Sequence, residues 1–271
     1  MRPMKTPKTS ELLVAALLAA CATATQADVT VLTTTAGKAS VMDVSGQGTN
    51  LIKGNRMRID TTAGGRTDSL IIDIDGRRFV NIDTKKKSAT ITPLDSISDE
   101  LAKVGVGTLS ATLRKTSQVK KVAGYSCTVH DIGITLPFSF TGQTGDGMDM
   151  NMVLSDTVCL STEAPGLADY QQFYRASADS GFIFGDPRLL KSPTGAAQAK
   201  AYAELTRKMA EAGMALESHV TVSATGSNPM AGFMGKAAAS DITTTVTQIT
   251  VGDLPAEQFD VPAGFKVKTQ K

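Results

Sequence analysis

The sequence predicts an α+β fold, a curved antiparallel β half-barrel with helices covering its concave face. Three observations carry this. The first half is a run of short segments in which apolar and polar residues alternate between turn signals. Two stretches of helical periodicity occupy the middle, and strand-like segments resume before the C-terminus.

The strands announce themselves first around "NRMRID", where Met57 and Ile59 alternate with Arg56, Arg58 and Asp60. The glycines of "TTAGGRTD" then supply a hairpin turn. In "SLIIDID", Leu70, Ile72 and Ile74 share a face, and the Asp75-Gly76 pair is a hairpin signal. "RRFVNID", the charged turn "TKKK" and "SATIT" continue the meander. An antiparallel sheet with one polar side fits this pattern.

"PLDSISDELAKVG" predicts a short helix capped by Asp95 or Ser96, with Asp99 and Glu100 in its first turn and Gly105 past its end. "QVKKVAGYSCTVHDIGI" reads as a hairpin and "MDMNMVLSDTVCLS" as a further strand. The helical middle comprises "LADYQQFYRASAD" and a second stretch that starts at Ser192-Pro193 and stops at Gly213. In the latter, Tyr202, Leu205, Met209 and Ala212 form one stripe. In "MALESHVTVSA", Met214, Leu216, Val220 and Val222 alternate with Glu217, His219 and Thr221. "SNPMAGFMGKAAA" is a loop by composition, and "ITTTVTQITVG" and "EQFDVPAGFKVK" close the chain.

The N-terminus predicts secretion. Arg2, Lys5 and Lys8 precede an apolar run from Leu12 to Ala20, with Glu11 an atypical charge at its edge. Nine apolar residues are too few to span a bilayer core, which takes about 20. Two cleavage points compete: one before Cys21, where Leu18-Ala19-Ala20-Cys21 resembles the lipobox of bacterial lipoproteins, and one after Ala27, releasing Asp28 as the first residue. The expected organisation is a signal peptide over 1–20, alternatively 1–27. A single domain follows over 28–271, with a helical insert at about 165–213.

Cys21 is acylated or removed on either reading, which leaves Cys127 and Cys159 to pair in an oxidising envelope. Such a bridge contributes roughly 3–4 kcal/mol in the chain-entropy model. Two buried free thiols are the alternative. The leader holds three of the 28 basic residues and one of the 26 acidic ones, so the chain from Cys21 onward balances at 25 against 25. A nucleic-acid partner, which calls for a basic excess, is therefore not expected.

Taken together, "IKGNRMRID", "VNIDTKKKSATIT" and the closing "DLPAEQFDVPAGFKV" resemble the opening and closing strands of the LolA/LolB-like envelope protein superfamily. A "KVAGYSC"-like segment places the chain closest to a related uncharacterised bacterial family. The resemblance implies a half-barrel plugged by helices whose cavity holds acyl chains or other lipids. It also implies a non-catalytic, periplasm-facing protein without cofactors, with a possible envelope protein partner. With Ala22 following an acylated Cys21, resemblance to Gram-negative sorting rules implies an outer-membrane lipoprotein. Met57, Ile59, Leu70, Ile72, Val220 and Val222 are the candidates for the cavity face, and packed core is the alternative role for each.

Other chemistries have candidate residues of their own. Met148, Met150 and Met152 share one strand face, and thioethers suit Cu(I), with Met230 and Met234 as further donors. Methionine as an irregular core filler is the competing account. A third possibility is a structural or interaction module with a filled core. Asp146 and Asp149 beside glycines lack a calcium-loop ladder. Only His130 and His219 are present as histidines, Asp73, Asp75 and Asp83 read as strand ends, and no hydrolase, zinc-protease or phosphate-loop motif occurs. Tryptophan is absent, which argues against carbohydrate stacking. No enzyme activity is expected.

Overall fold

The structure is a computed structural model that describes residues 27–39, 42–94, 110–141, 147–180, 193–226 and 239–270. Twelve strands join one sheet: β1 (Val29–Ala39), β2 (Met42–Lys53), β3 (Arg56–Ala63), β4 (Arg66–Asp73), β5 (Arg78–Asp83), β6 (Ser88–Pro93), β7 (Ser110–Val122), β8 (Tyr125–Thr141), β9 (Gly147–Ser161), β10 (Met214–Gly226), β11 (Ser240–Val251) and β12 (Lys266–Thr269). Two helices, α1 (Leu167–Asp179) and α2 (Pro193–Ala212), lie between β9 and β10. Both begin and end where the sequence places the helical stretches.

The order across the sheet is β12-β6-β5-β4-β3-β2-β1-β11-β10-β9-β8-β7. All pairs are antiparallel except β12 with β6. The sheet is rolled but open. Strands β7 and β11 stand four positions apart, yet their Cα atoms come within 8 Å. In a flat sheet four strand spacings would separate them by roughly 19 Å. Lys120 of β7 likewise reaches Glu217 of β10 at 2.6 Å.

The long β1–β2 hairpin is the part of the meander that hydropathy leaves unmarked. Its facing residues toward the tip are Thr33, Thr35, Gly46 and Gly48 rather than large apolar ones. Alternation of small with polar residues gives no apolar period to read. The predicted helix after Pro93 falls, beyond Leu94, outside the described residues.

Three groups of buried side chains hold the sheet. The largest joins Val29, Ile52, Met57, Ile72 and Phe79 to Phe173 of α1. A second packs Leu205, Met209 and Ala212 of α2 on Ile132, Ile134, Val158 and Leu160. Three members of the predicted α2 stripe therefore do cover a sheet face. A third lies on the other side of β4–β6, where Ile71, Val80 and Ile82 meet Val261 and Phe265. There Arg58 Nη1 donates to the Gln258 carbonyl at 2.9 Å and Arg56 stacks 5.4 Å from the Phe259 ring.

A bulge interrupts β10. Ala215 opposes Leu160 but Glu217 opposes Cys159, so Leu216 is an extra residue in the strand. The alternation that would put Met214, Leu216, Val220 and Val222 on one face is broken there. Met214 and Leu216 are fully buried, whereas Val220 and Val222 are half-buried opposite Asp156 and Leu154.

Candidate functional site

Directly opposed residues share a face, so the register traces one face of the meander as successive rows. The first row is Val29, Ile52, Met57, Ile72, Phe79 and Thr92 across β1 to β6. Its neighbour runs Val31, Asn50, Ile59, Leu70, Asn81 and Thr90. Then come Thr33, Gly48, Thr61, Asp68, Asp83 and Ser88. Last are Thr35, Gly46, Ala63 and Arg66. Across β1–β3 side-chain size falls from the first row to the last.

Helix α1 lies over the large end. Gly166 precedes it in a left-handed conformation, φ 73°, and a Cβ there would sit 2.4 Å from Val29 Cγ2. This contact brings the helix start close enough for Phe173 to be fully buried in the core. Tyr170 and Tyr174 stack with ring centroids 4.2 Å apart. The Ala215 N–H donates to the Tyr170 hydroxyl at 3.5 Å, and the two phenols are hydrogen-bonded to one another. Burial pushes both phenols above their ordinary range, so neither ionises at neutral pH.

Beyond α1 the face opens into an apolar cleft of about 320 Å³. Met57 and Ile59 line its deep side, Tyr174 overhangs it, and Thr33, Gly48 and Thr61 form its floor. A side chain at position 48 would have to displace the Thr33 hydroxyl. A Cβ there would lie 2.4 Å from Thr33 Oγ1. Thr35 and Thr244 hydrogen-bond through their hydroxyls at 3.1 Å, which presents their methyl-bearing sides without an unpaired hydroxyl.

The same rows continue across β4–β6 as a polar groove of about 370 Å³. Asp68 and Asp83 stand directly opposite one another. Arg66 bridges them, at 2.8 Å from Asp68 and 3.5 Å from Asp83, and Lys86 reaches Asp83 at 3.0 Å. Hydrogen bonding from the Lys86 backbone N–H, then from its side chain, holds the Asp83 carboxyl below its ordinary range.

Of the residues that the sequence nominates for a cavity, Met57 and Ile59 line the cleft. Leu70 and Ile72 pack in the main core, and Val220 and Val222 lie elsewhere on the sheet. Sequence reading missed Thr33, Gly48, Thr61 and Tyr174. Only Tyr174 carried a usable signal, as an aromatic on a predicted amphipathic helix.

The cysteines sit on adjacent strands, with sulfurs 2.06 Å and Cα atoms 5.3 Å apart. Beside Cys127 is a hollow of about 410 Å³ whose polar lining, including Lys115, His130 and Glu163, suits an acyl chain poorly. His130 is buried with Nδ1 3.0 Å from the Thr128 carbonyl. Asp156 is half-buried: Ser218 Oγ and the His219 N–H donate to it at 3.0–3.2 Å, and burial raises its pKa above 3.8. Strand β9 carries Met148, Met150 and Met152 opposite Phe140, Phe138 and Leu136. Cys21, Asp146, Met230 and Met234 lie outside the described residues. Among the described residues no cluster of three His, Cys, Asp or Glu is placed to hold a metal, and no helix is long and apolar enough to cross a membrane.

No family model matches the chain, and no curated protein matches it. Among solved structures it is similar to a LolA superfamily protein from Nitrosomonas europaea, at 8% identity and a TM-score of 0.29. That alignment covers 87% of this chain and 91% of that one. It is also similar to a domain from Vibrio parahaemolyticus named for outer membrane lipoprotein sorting. There the identity is 8% and the TM-score 0.28, with 87% and 90% of the two chains covered.

Proposed function

We propose that this chain is a non-catalytic envelope protein that binds or carries a hydrophobic ligand, an acyl chain or lipid, in the cleft beyond α1. The observation that carries the reading is the cleft itself: about 320 Å³ lined by Met57, Ile59 and Tyr174 over a floor of glycine and threonine. Concave apolar volume of this size, framed by rigid strands, favours apolar ligands. Burying one methylene there is worth about 0.8 kcal/mol. A chain of six to eight carbons therefore gains about 5–6 kcal/mol in gross terms, an affinity weaker than micromolar once the entropy cost of binding is met.

The same reading takes Cys21 as the acylated residue and the protein as facing the periplasm, with Cys127 and Cys159 bridged across β8 and β9. The N-terminal leader and the pairing of the two remaining cysteines support this. The test uses a fluorescent fatty-acid analogue and Thr61→Phe, an exposed strand position on the cleft floor where an aromatic is well tolerated. Wild type binds and the variant loses at least about tenfold in affinity, equivalent to about 1.4 kcal/mol. Equal binding by both would remove the cleft from consideration.

A further inference from the structure

The geometry points to a two-part site: the polar groove of β4–β6 is the headgroup half of the apolar cleft, and its ligand is a zwitterionic phospholipid bearing an amine and a phosphate. This rests on the cleft holding an acyl chain.

Continuity comes first. Thr61 and Ala63 of the cleft stand directly opposite Asp68 and Arg66 of the groove, so the two hollows meet across one strand spacing, about 4.8 Å. A chain lying on the cleft floor ends with its polar terminus at these residues.

The charges then select the head. Asp68 and Asp83 are like charges directly opposed across β4–β5, an unfavourable pair unless a cation lies beside it. Arg66 and Lys86 supply two cations, so the groove is neutral overall with both signs presented. The Arg66 and Asp68 side chains are both more than half exposed and can exchange one another for a ligand. Guanidinium and ammonium receive a phosphate, while the opposed carboxylates receive an amine. A head with phosphate alone gains the cations but is repelled by Asp68 and Asp83. A head with neither charge leaves the groove as it is. Complementarity of both signs therefore sets the order of preference.

The experiment takes the full chain, stripped of lipid and offered mixed micelles of phosphatidylethanolamine, phosphatidylglycerol and diacylglycerol with identical acyl chains. Bound lipid is counted by native mass spectrometry. Wild type should retain phosphatidylethanolamine at least about fivefold over the other two, the scale of two exposed ion pairs. Asp68→Asn should bring the phosphatidylethanolamine-to-phosphatidylglycerol ratio toward one, and Arg66→Gln should bring both phospholipids toward diacylglycerol. Both are exposed positions, and the fold of each variant is checked by its circular dichroism spectrum. Equal retention of all three lipids by wild type would overturn the headgroup site and leave the acyl cleft standing. A preference for phosphatidylglycerol would overturn the zwitterion assignment. Retention of none would sink the acyl cleft and the headgroup site together.

Discussion

The two ends of one sheet face are built from opposite materials. Under α1 the row Val29, Ile52, Met57, Ile72, Phe79 is large and apolar, and Phe173 seals it. Two rows further along, the same strands present Thr33, Gly48, Thr61, Asp68 and Asp83. The backbone is continuous between them, so the hollow comes from side-chain volume and from where the helix stops. The inner face of a rolled sheet calls for filling, and among the described residues large apolar side chains fill it at one end only.

Breaking the sealed end should have the largest effect. Phe173→Ala removes a fully buried ring and is expected to cost about 3–5 kcal/mol in urea unfolding. Replacing Cys127 and Cys159 together by serine is expected to cost roughly 3–4 kcal/mol, from a closed loop of 32 residues, without changing the cleft. Differential scanning calorimetry of that variant should show a lower Tm with fatty-acid binding retained. Gly166→Ala places a Cβ against Val29 in a left-handed conformation, and a loss of about 1–3 kcal/mol is expected.

Asp156 sharpens the contrast through pH. Burial raises its folded-state pKa above 3.8, so the folded chain holds this proton more tightly than the unfolded one. Its contribution therefore falls as pH rises from 3.8 through the raised pKa, and is least favourable above it. Asp156→Asn should flatten the stability profile above pH 3.8 and leave the neutral-pH protein at least as stable as wild type. A steeper profile in the variant would contradict the burial argument. The smallest effect is expected at the open end, where Thr61→Phe should change stability by no more than about 0.5 kcal/mol. Its consequence is for ligand binding alone.

Much of the sealed end was legible. Met57, Ile59, Leu70 and Ile72 declare themselves by alternation, and α1 by its boundaries, because apolar periodicity reports burial. The open end was legible only at Met57 and Ile59, which line its deep side, for the same reason. Thr33, Gly48 and Thr61 carry no apolar signal, and their importance lies in volume they leave empty. Asp68 and Asp83 are far apart in the chain and meet only through the β4–β5 register. The extra residue at Leu216 is equally silent, since a bulge changes which face Val220 takes without altering the alternation on either side.

On the proposed function, the open end is occupied by a hydrophobic molecule. This is tested most directly by native and denaturing mass spectra of wild type and Thr61→Phe, each expressed in a bacterial envelope and gently extracted. Wild type should carry a lipid-sized mass that departs on denaturation, and Thr61→Phe should carry none. A wild-type spectrum without that mass, or identical occupancy in both proteins, would contradict the account.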